Sequence, residues 1–253
     1  MHHRDTMSTY CDWPPFEGQK KNSTCPDSGL EFPLQDPDSG LGITAEQAMV
    51  LSNICMFLAL VFRYPKEDVY AEISRHLPDL EGLFSDYSIS RPSLPDRPDL
   101  EAEYVSLFVN NNGYVPAPPY AASYLDPDGM LMGPSYDLLL RYLRLTGYEL
   151  QAQVKDLEDH VSLLLEFVAG LLSRLSESGL SASRGELDLR VLCSVILRIL
   201  GPMSEPFGLA VRANAQAPFY PAVAETLQAL IQDMKQLCTG LVSVPPSEGL
   251  RHI

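Results

Sequence analysis

Asp156, Glu158, Asp159, His160 and Glu166 form the densest polar cluster in this 253-residue chain. Carboxylates beside an imidazole can bind a metal, move a proton for a hydrolytic nucleophile, or receive a cationic ligand. Metal binding has the least support, because no second histidine or cysteine lies within a helical turn of His160. Hydrolysis needs a nucleophile, for which only Ser162 and Ser123 suggest themselves. A purely structural account stands beside these readings: acids at the start of a helix complement its macrodipole. On a helix running from Asp156 to Ser178, Asp159 and Glu166 are two turns apart and share a face. His160 projects about 100° round from Asp159.

A second informative stretch runs from Pro116 to Gly133 and carries Pro116, Pro118, Pro119 and Pro127, with Tyr120, Tyr124, Gly129 and Gly133. Prolines fix φ and push the preceding residue toward extended backbone, so Ala117-Pro118-Pro119 is not helical. Asp126-Pro127-Asp128-Gly129 carries the chemistry of a tight reversal. A shaped loop of this length inside a helical chain is expected to be functional. Ser123 apart, it holds no candidate nucleophile, and it has no metal cluster or phosphate cradle; it reads as a recognition surface. Tyr120 and Tyr124 are candidates for exposed contacts, whereas Tyr104, Phe108 and Tyr142 read as core.

The elements that must position these residues are helices. Thr44-Ala45-Glu46-Gln47 has the form of a capping box, opening a buried helix to about Arg63. Further helices are expected over 66–77, 99–110, 135–146 with Gly147 closing, 156–178, and about 185–200, 202–215 and 219–238, with a short helical piece in 79–87. Gly201-Pro202 and Pro218 punctuate the last three. No segment alternates as a strand does. The expected fold is all-α, a single globular bundle of eight or nine helices over 43–240. Residues 1–42 are expected to be a disordered tail and 241–253 a flexible end.

Composition narrows the function. The net charge is −15, which argues against a nucleic-acid partner and favours a cationic one, or serves solubility alone. Neither GxxxxGK[ST] nor GxGxxG occurs, so nucleotide binding has no support. The five cysteines are scattered, as expected of reduced thiols in a cytosolic protein; Cys55, Cys193 and Cys238 fall in apolar patterns, and Cys11 and Cys25 in the tail. Neither a secretory signal nor a bilayer-spanning run is present. No metal and no cofactor are expected.

Read in order, a set of short matches acquires meaning. They are Glu103-Tyr104 with Leu107-Phe108, Pro118-Pro119-Tyr120 with Ser123 and Tyr124, and Leu131-Met132-Gly133. Tyr142 through Gly147, Asp159-His160, Glu166-Phe167 with Ala169, Leu171 and Leu172, and Ala217-Pro218-Phe219-Tyr220 follow. Over residues 45 to 238 the chain resembles the TorD/DmsD/NarJ family of redox-enzyme maturation chaperones. The resemblance implies an all-helical cytoplasmic chaperone, monomer or dimer, with no catalytic residues. Its partner would be a molybdopterin-containing oxidoreductase subunit, bound through its twin-arginine signal peptide, and often its body, until cofactor insertion precedes export. Carried over, the peptide-binding residues are Pro118, Pro119, Tyr120, Ser123, Tyr124, Met132, Gly133, Asp159, His160 and Glu166. One departure is Glu158, where the family commonly has proline, which alters the helix entry. The alternatives are a general peptide-binding adaptor and a helical hydrolase using His160.

Overall fold

Helix α1 (Ala45–Val61) starts where its signal lies: Gln47 N–H donates to Thr44 Oγ1 at 3.1 Å and Thr44 N–H to Gln47 Oε1 at 3.0 Å, a reciprocal capping box. The computed structural model describes residues 43–149, 156–178 and 183–241. The expectations for the two chain ends, including Cys11 and Cys25, lie outside those residues.

After α1 come α2 (Glu67–His76), a 3₁₀ turn Leu77–Leu80 and α3 (Glu81–Asp86). Then α4 (Arg97–Tyr104) runs on as a π turn, Val105–Val109. The proline loop contains one helical turn, α5 (Ala122–Leu125), and leads into α6 (Pro134–Thr146). The chain continues as α7 (Val161–Ser178), α8 (Ser183–Val195), a π turn Ile196–Leu200, α9 (Gly201–Asn214) and α10 (Phe219–Leu241). Among the described residues there is no strand, only the isolated bridges Asn111–Tyr114 and Tyr120–His160. The all-α expectation holds. Counting helices joined by π turns as one, the described residues form eight, plus the single turn α5.

Helices α1 and α7 form the most extensive pair, and Ser52 Oγ donates across it to the Ala169 carbonyl at 2.8 Å. An aromatic cluster of Phe62, Tyr104, Phe108, Phe207 and Tyr220 fills the space between α1, α4 and the α9–α10 pair in edge-to-face contacts. Tyr104, Phe108 and Tyr142 are core residues, as expected, and Cys55, Cys193 and Cys238 are buried free thiols. Gly147 closes α6 in the left-handed region at φ 65°, its N–H reaching the Leu143 and Arg144 carbonyls. Glu103 accepts from the N–H groups of Gln216 and Ala217 at 2.8 and 2.9 Å, fixing the connection into α10. No helix among the described residues is long and apolar enough to cross a membrane.

Two boundaries differ from expectation. Gly201-Pro202 does not break the chain into separate helices. A proline ring collides with the carbonyl four residues back, and the π turn over Ile196–Leu200 makes the local adjustment that lets α8 continue into α9. The second difference shapes the site: α7 begins at Val161, not Asp156. Asp159 therefore precedes the helix and does not share a helical face with Glu166.

Candidate binding site around the proline loop

Backbone hydrogen bonds hold the loop against the entry to α7. Ala117 N–H reaches back to the Leu107 carbonyl at 2.9 Å. Val161 N–H donates to Pro119 O at 2.7 Å and Ala121 N–H to Asp159 O at 3.0 Å, making the Tyr120–His160 bridge. This pairing holds the chain before Val161 out of the helix, in a turn closed by the bond from His160 N–H to the Leu157 carbonyl at 3.0 Å, which is why α7 starts late. Asp159 adds its side chain: Oδ2 accepts from Ala122 N–H at 2.9 Å at the start of α5.

His160 ends this stretch and caps α7. Its carbonyl accepts from Leu164 N–H at 2.9 Å, and its ring Nδ1 accepts from Ser162 N–H at 3.2 Å. Since a backbone N–H can only donate, Nδ1 is the acceptor and the ring proton sits on Nε2. Ser162 Oγ lies 2.8 Å from the same Nδ1, so the serine that a hydrolytic reading requires is within reach. Both residues are buried, however, and Nδ1 is committed to the helix terminus. Desolvation holds the imidazole pKa down at about 4, with the Asp156 charge opposing and the Arg63 charge assisting.

The two tyrosines of the loop are less exposed than expected. Tyr120 sets its ring edge-to-face on His160 at 5.3 Å and donates its hydroxyl to Asp156 Oδ1 at 2.6 Å. Tyr124 turns inward against Phe207 at 6.1 Å, and its hydroxyl oxygen is buried. Pro119 is buried, while Pro118 and Ser123 are half-buried. Asp159 is buried with Oδ1 lacking a partner among the described residues, and desolvation raises its pKa against the opposing Ala122 hydrogen bond. The Asp-His pair thus builds the loop from within rather than facing solvent. Polar residue types default to the surface in sequence reasoning, and here that default fails.

The exposed part lies further on. Met130, Leu131 and Met132 are 54, 49 and 59% exposed, three consecutive large apolar side chains. Met132 is held at φ 59°, an uncommon conformation for a side-chain-bearing residue. Behind the ridge, Asp126 caps α6 from a distance, accepting from Ser135 N–H at 2.9 Å and Ser135 Oγ–H at 2.7 Å. A Cβ on Gly133 would meet the Asp126 carboxyl at 2.6 Å, so glycine is what lets the cap approach. Gly133→Ala is expected to displace Asp126 and cost about 1–2 kcal/mol, similar to Asp126→Ala. Chemical denaturation of the two variants and the double variant checks this, since the shared cap should make their costs non-additive.

Along α6 the ridge leads to a cleft. Leu139, Leu143, Tyr148, Leu163 and Phe167 wall it, and Glu149, Glu158 and Glu166 complete its lining, leaving a small cleft that is partly open to solvent. Glu158 accepts a hydrogen bond from Tyr136 Oη, tying α6 to the α7 entry. Glu166 is buried and pairs with Arg63; burial raises its pKa, with the Arg63 charge opposing. Arg63 carried no motif signal, because its partner Glu166 lies 103 residues away in sequence.

A family model described as the nitrate reductase delta subunit matches residues 66–202, more than half of the chain. A chaperone protein TorD from Psychrobacter sp. is 23% identical over 182 residues, spanning 65% of this chain and 80% of the relative. A chaperone protein TorD from Vibrio vulnificus is 32% identical over 88 residues, 33% of this chain and 40% of the relative. A solved structure described as a redox enzyme maturation protein, from Archaeoglobus fulgidus, overlaps 72% of this chain and 93% of its own. Its TM-score is 0.47 at 19% identity.

Proposed function

The chain belongs to the nitrate reductase delta subunit family, the TorD/NarJ group, and from that membership we propose that it binds the twin-arginine signal peptide of a molybdopterin-containing oxidoreductase subunit. Its relatives named as chaperones make it a maturation chaperone and not an enzyme. It would hold the client in the cytoplasm until the cofactor is in place.

The observation that carries the peptide reading is the succession of an exposed apolar ridge just before α6 and a cleft lined by apolar and acidic residues further along that helix. From Met132 to Leu139 and Leu143, a helical rise of 1.5 Å per residue gives roughly 10–16 Å. An extended peptide covers that in about three to five residues. A leader with paired arginines followed by an apolar segment fits this spacing, arginines at the carboxylates and apolar residues on Leu131 and Met132. Exposed ion pairs are worth ~0.2–1 kcal/mol each, whereas burying a large apolar side chain contributes about 1.5–3 kcal/mol. The ridge should therefore supply most of the affinity and the carboxylates the selectivity. Asp159 and His160 act as positioning residues that hold the loop.

Calorimetry with a synthetic leader peptide tests this. Leu131→Asp with Met132→Asp should weaken binding about tenfold or more, leaving the melting temperature unchanged because both side chains are exposed. Replacing the peptide's paired arginines by glutamine should weaken it too. Binding indifferent to the arginines would point to a general peptide adaptor. Binding indifferent to the ridge would refute the site.

A further inference from the structure

Glu166 already holds a guanidinium. Arg63, just beyond the end of α1, donates from Nε at 3.0 Å and from a terminal nitrogen to the same oxygen, Oε1. The partners are unequally placed: the Arg63 side chain is 45% exposed and that of Glu166 only 8%. An exposed guanidinium returns to water at little cost, whereas a buried carboxylate stripped of its partner is strongly destabilising. The exchangeable member of the pair is therefore Arg63. Glu166 also lines the cleft, where apolar walls suit an aliphatic stem and further glutamates suit its cationic head.

We propose that Arg63 is an internal placeholder, and that an arginine of the client peptide displaces it from Glu166, the guanidinium subsite of the cleft. This rests on the signal-peptide reading for the identity of the incoming arginine, but not for the existence of the subsite. The carboxylate is never left bare: one guanidinium leaves as another arrives. The exchange keeps an empty chaperone stable and lowers its affinity for any lone arginine. Only a peptide that also covers the apolar ridge gains enough to complete it.

The test uses the full chain and two probes. The first is guanidinium chloride at low millimolar concentration, far below denaturing levels, with tetramethylammonium chloride as control. It should raise the melting temperature of Arg63→Ala, and leave the wild type and Arg63→Ala with Glu166→Gln unchanged. The second is a synthetic peptide with two arginines followed by an apolar stretch, compared with its double-glutamine version. The arginine peptide should bind Arg63→Ala about tenfold tighter than wild type, and the glutamine peptide should show no gain. Arg63→Lys keeps a cation beside Glu166 for folding but loses the forked donor, and should gain part of the affinity. Equal peptide affinity for wild type, Arg63→Ala and Arg63→Lys, with no guanidinium response, overturns the proposal. A guanidinium response without tighter peptide binding supports the subsite and refutes the signal-peptide reading instead.

Discussion

Gly170→Ala is expected to destabilise the protein by about 1–3 kcal/mol through overpacking, a fall of several degrees in melting temperature. The sign is opposite to what helix propensity gives, since alanine in a helix interior is favoured over glycine by about 1 kcal/mol. Gly170 lies within α7, and a Cβ there would fall on the Tyr148 hydroxyl, 2.6 Å from its Cζ and 3.0 Å from its Cε1. Tyr148 cannot easily tilt away. It packs edge-to-face on Phe167 at 4.9 Å, and the Arg174 guanidinium covers it at 4.4 Å. Displacing the ring gives up both contacts and opens the wall of the cleft. In a Tyr148→Ala background the obstacle is gone, and Gly170→Ala should become stabilising by up to about 1 kcal/mol. Urea denaturation of the four proteins decides it; a stabilising alanine in the wild-type background would mean that Tyr148 does not lie over Gly170.

Features legible in the sequence are those written in neighbouring residues. The capping box at Thr44, the left-handed stop at Gly147 and the turn at Asp126–Gly129 each need only a few adjacent side chains. The prolines announced a shaped loop, but nothing local told what shapes it. The answer is the bond of Pro119 O to Val161 N–H, between positions about forty residues apart. The same bond explains the misplaced start of α7. Acids followed by apolar periodicity from Asp156 onward look like one continuous helix, and only tertiary pairing takes the first five residues out of it. Arg63 and Glu166 are separated by 103 residues, so no spacing rule could join them. Glycines told least of all: Gly133 and Gly170 are needed for what another segment brings against them, which is invisible until the chain is folded.

Acidification should destabilise this protein by way of His160, by about 3 kcal/mol between pH 6.5 and about 4. Burial lowers the folded-state pKa from 6.5 to about 4. As pH falls below 6.5 the unfolded chain takes up a proton that the folded chain refuses, so stability present above 6.5 is lost until the folded pKa is reached. Protonation would also convert Nδ1 from acceptor to donor and break its bond with Ser162 N–H. Asp159 and Glu166 work in the other direction. Their raised pKa values mean that the folded state keeps protons the unfolded state has released, so their contribution grows as pH falls. The overall pH curve mixes these effects, and a single variant separates them. Asparagine is a good helix cap and does not titrate, so His160→Asn should lie within about 1 kcal/mol of wild type near pH 7.5. By about pH 4.5 it should have gained roughly 2 kcal/mol relative to wild type. Urea denaturation of the two proteins across this range reads the difference directly. Parallel curves would mean that the imidazole titrates alike in the folded and unfolded chains, and would refute burial of His160 as a source of acid sensitivity.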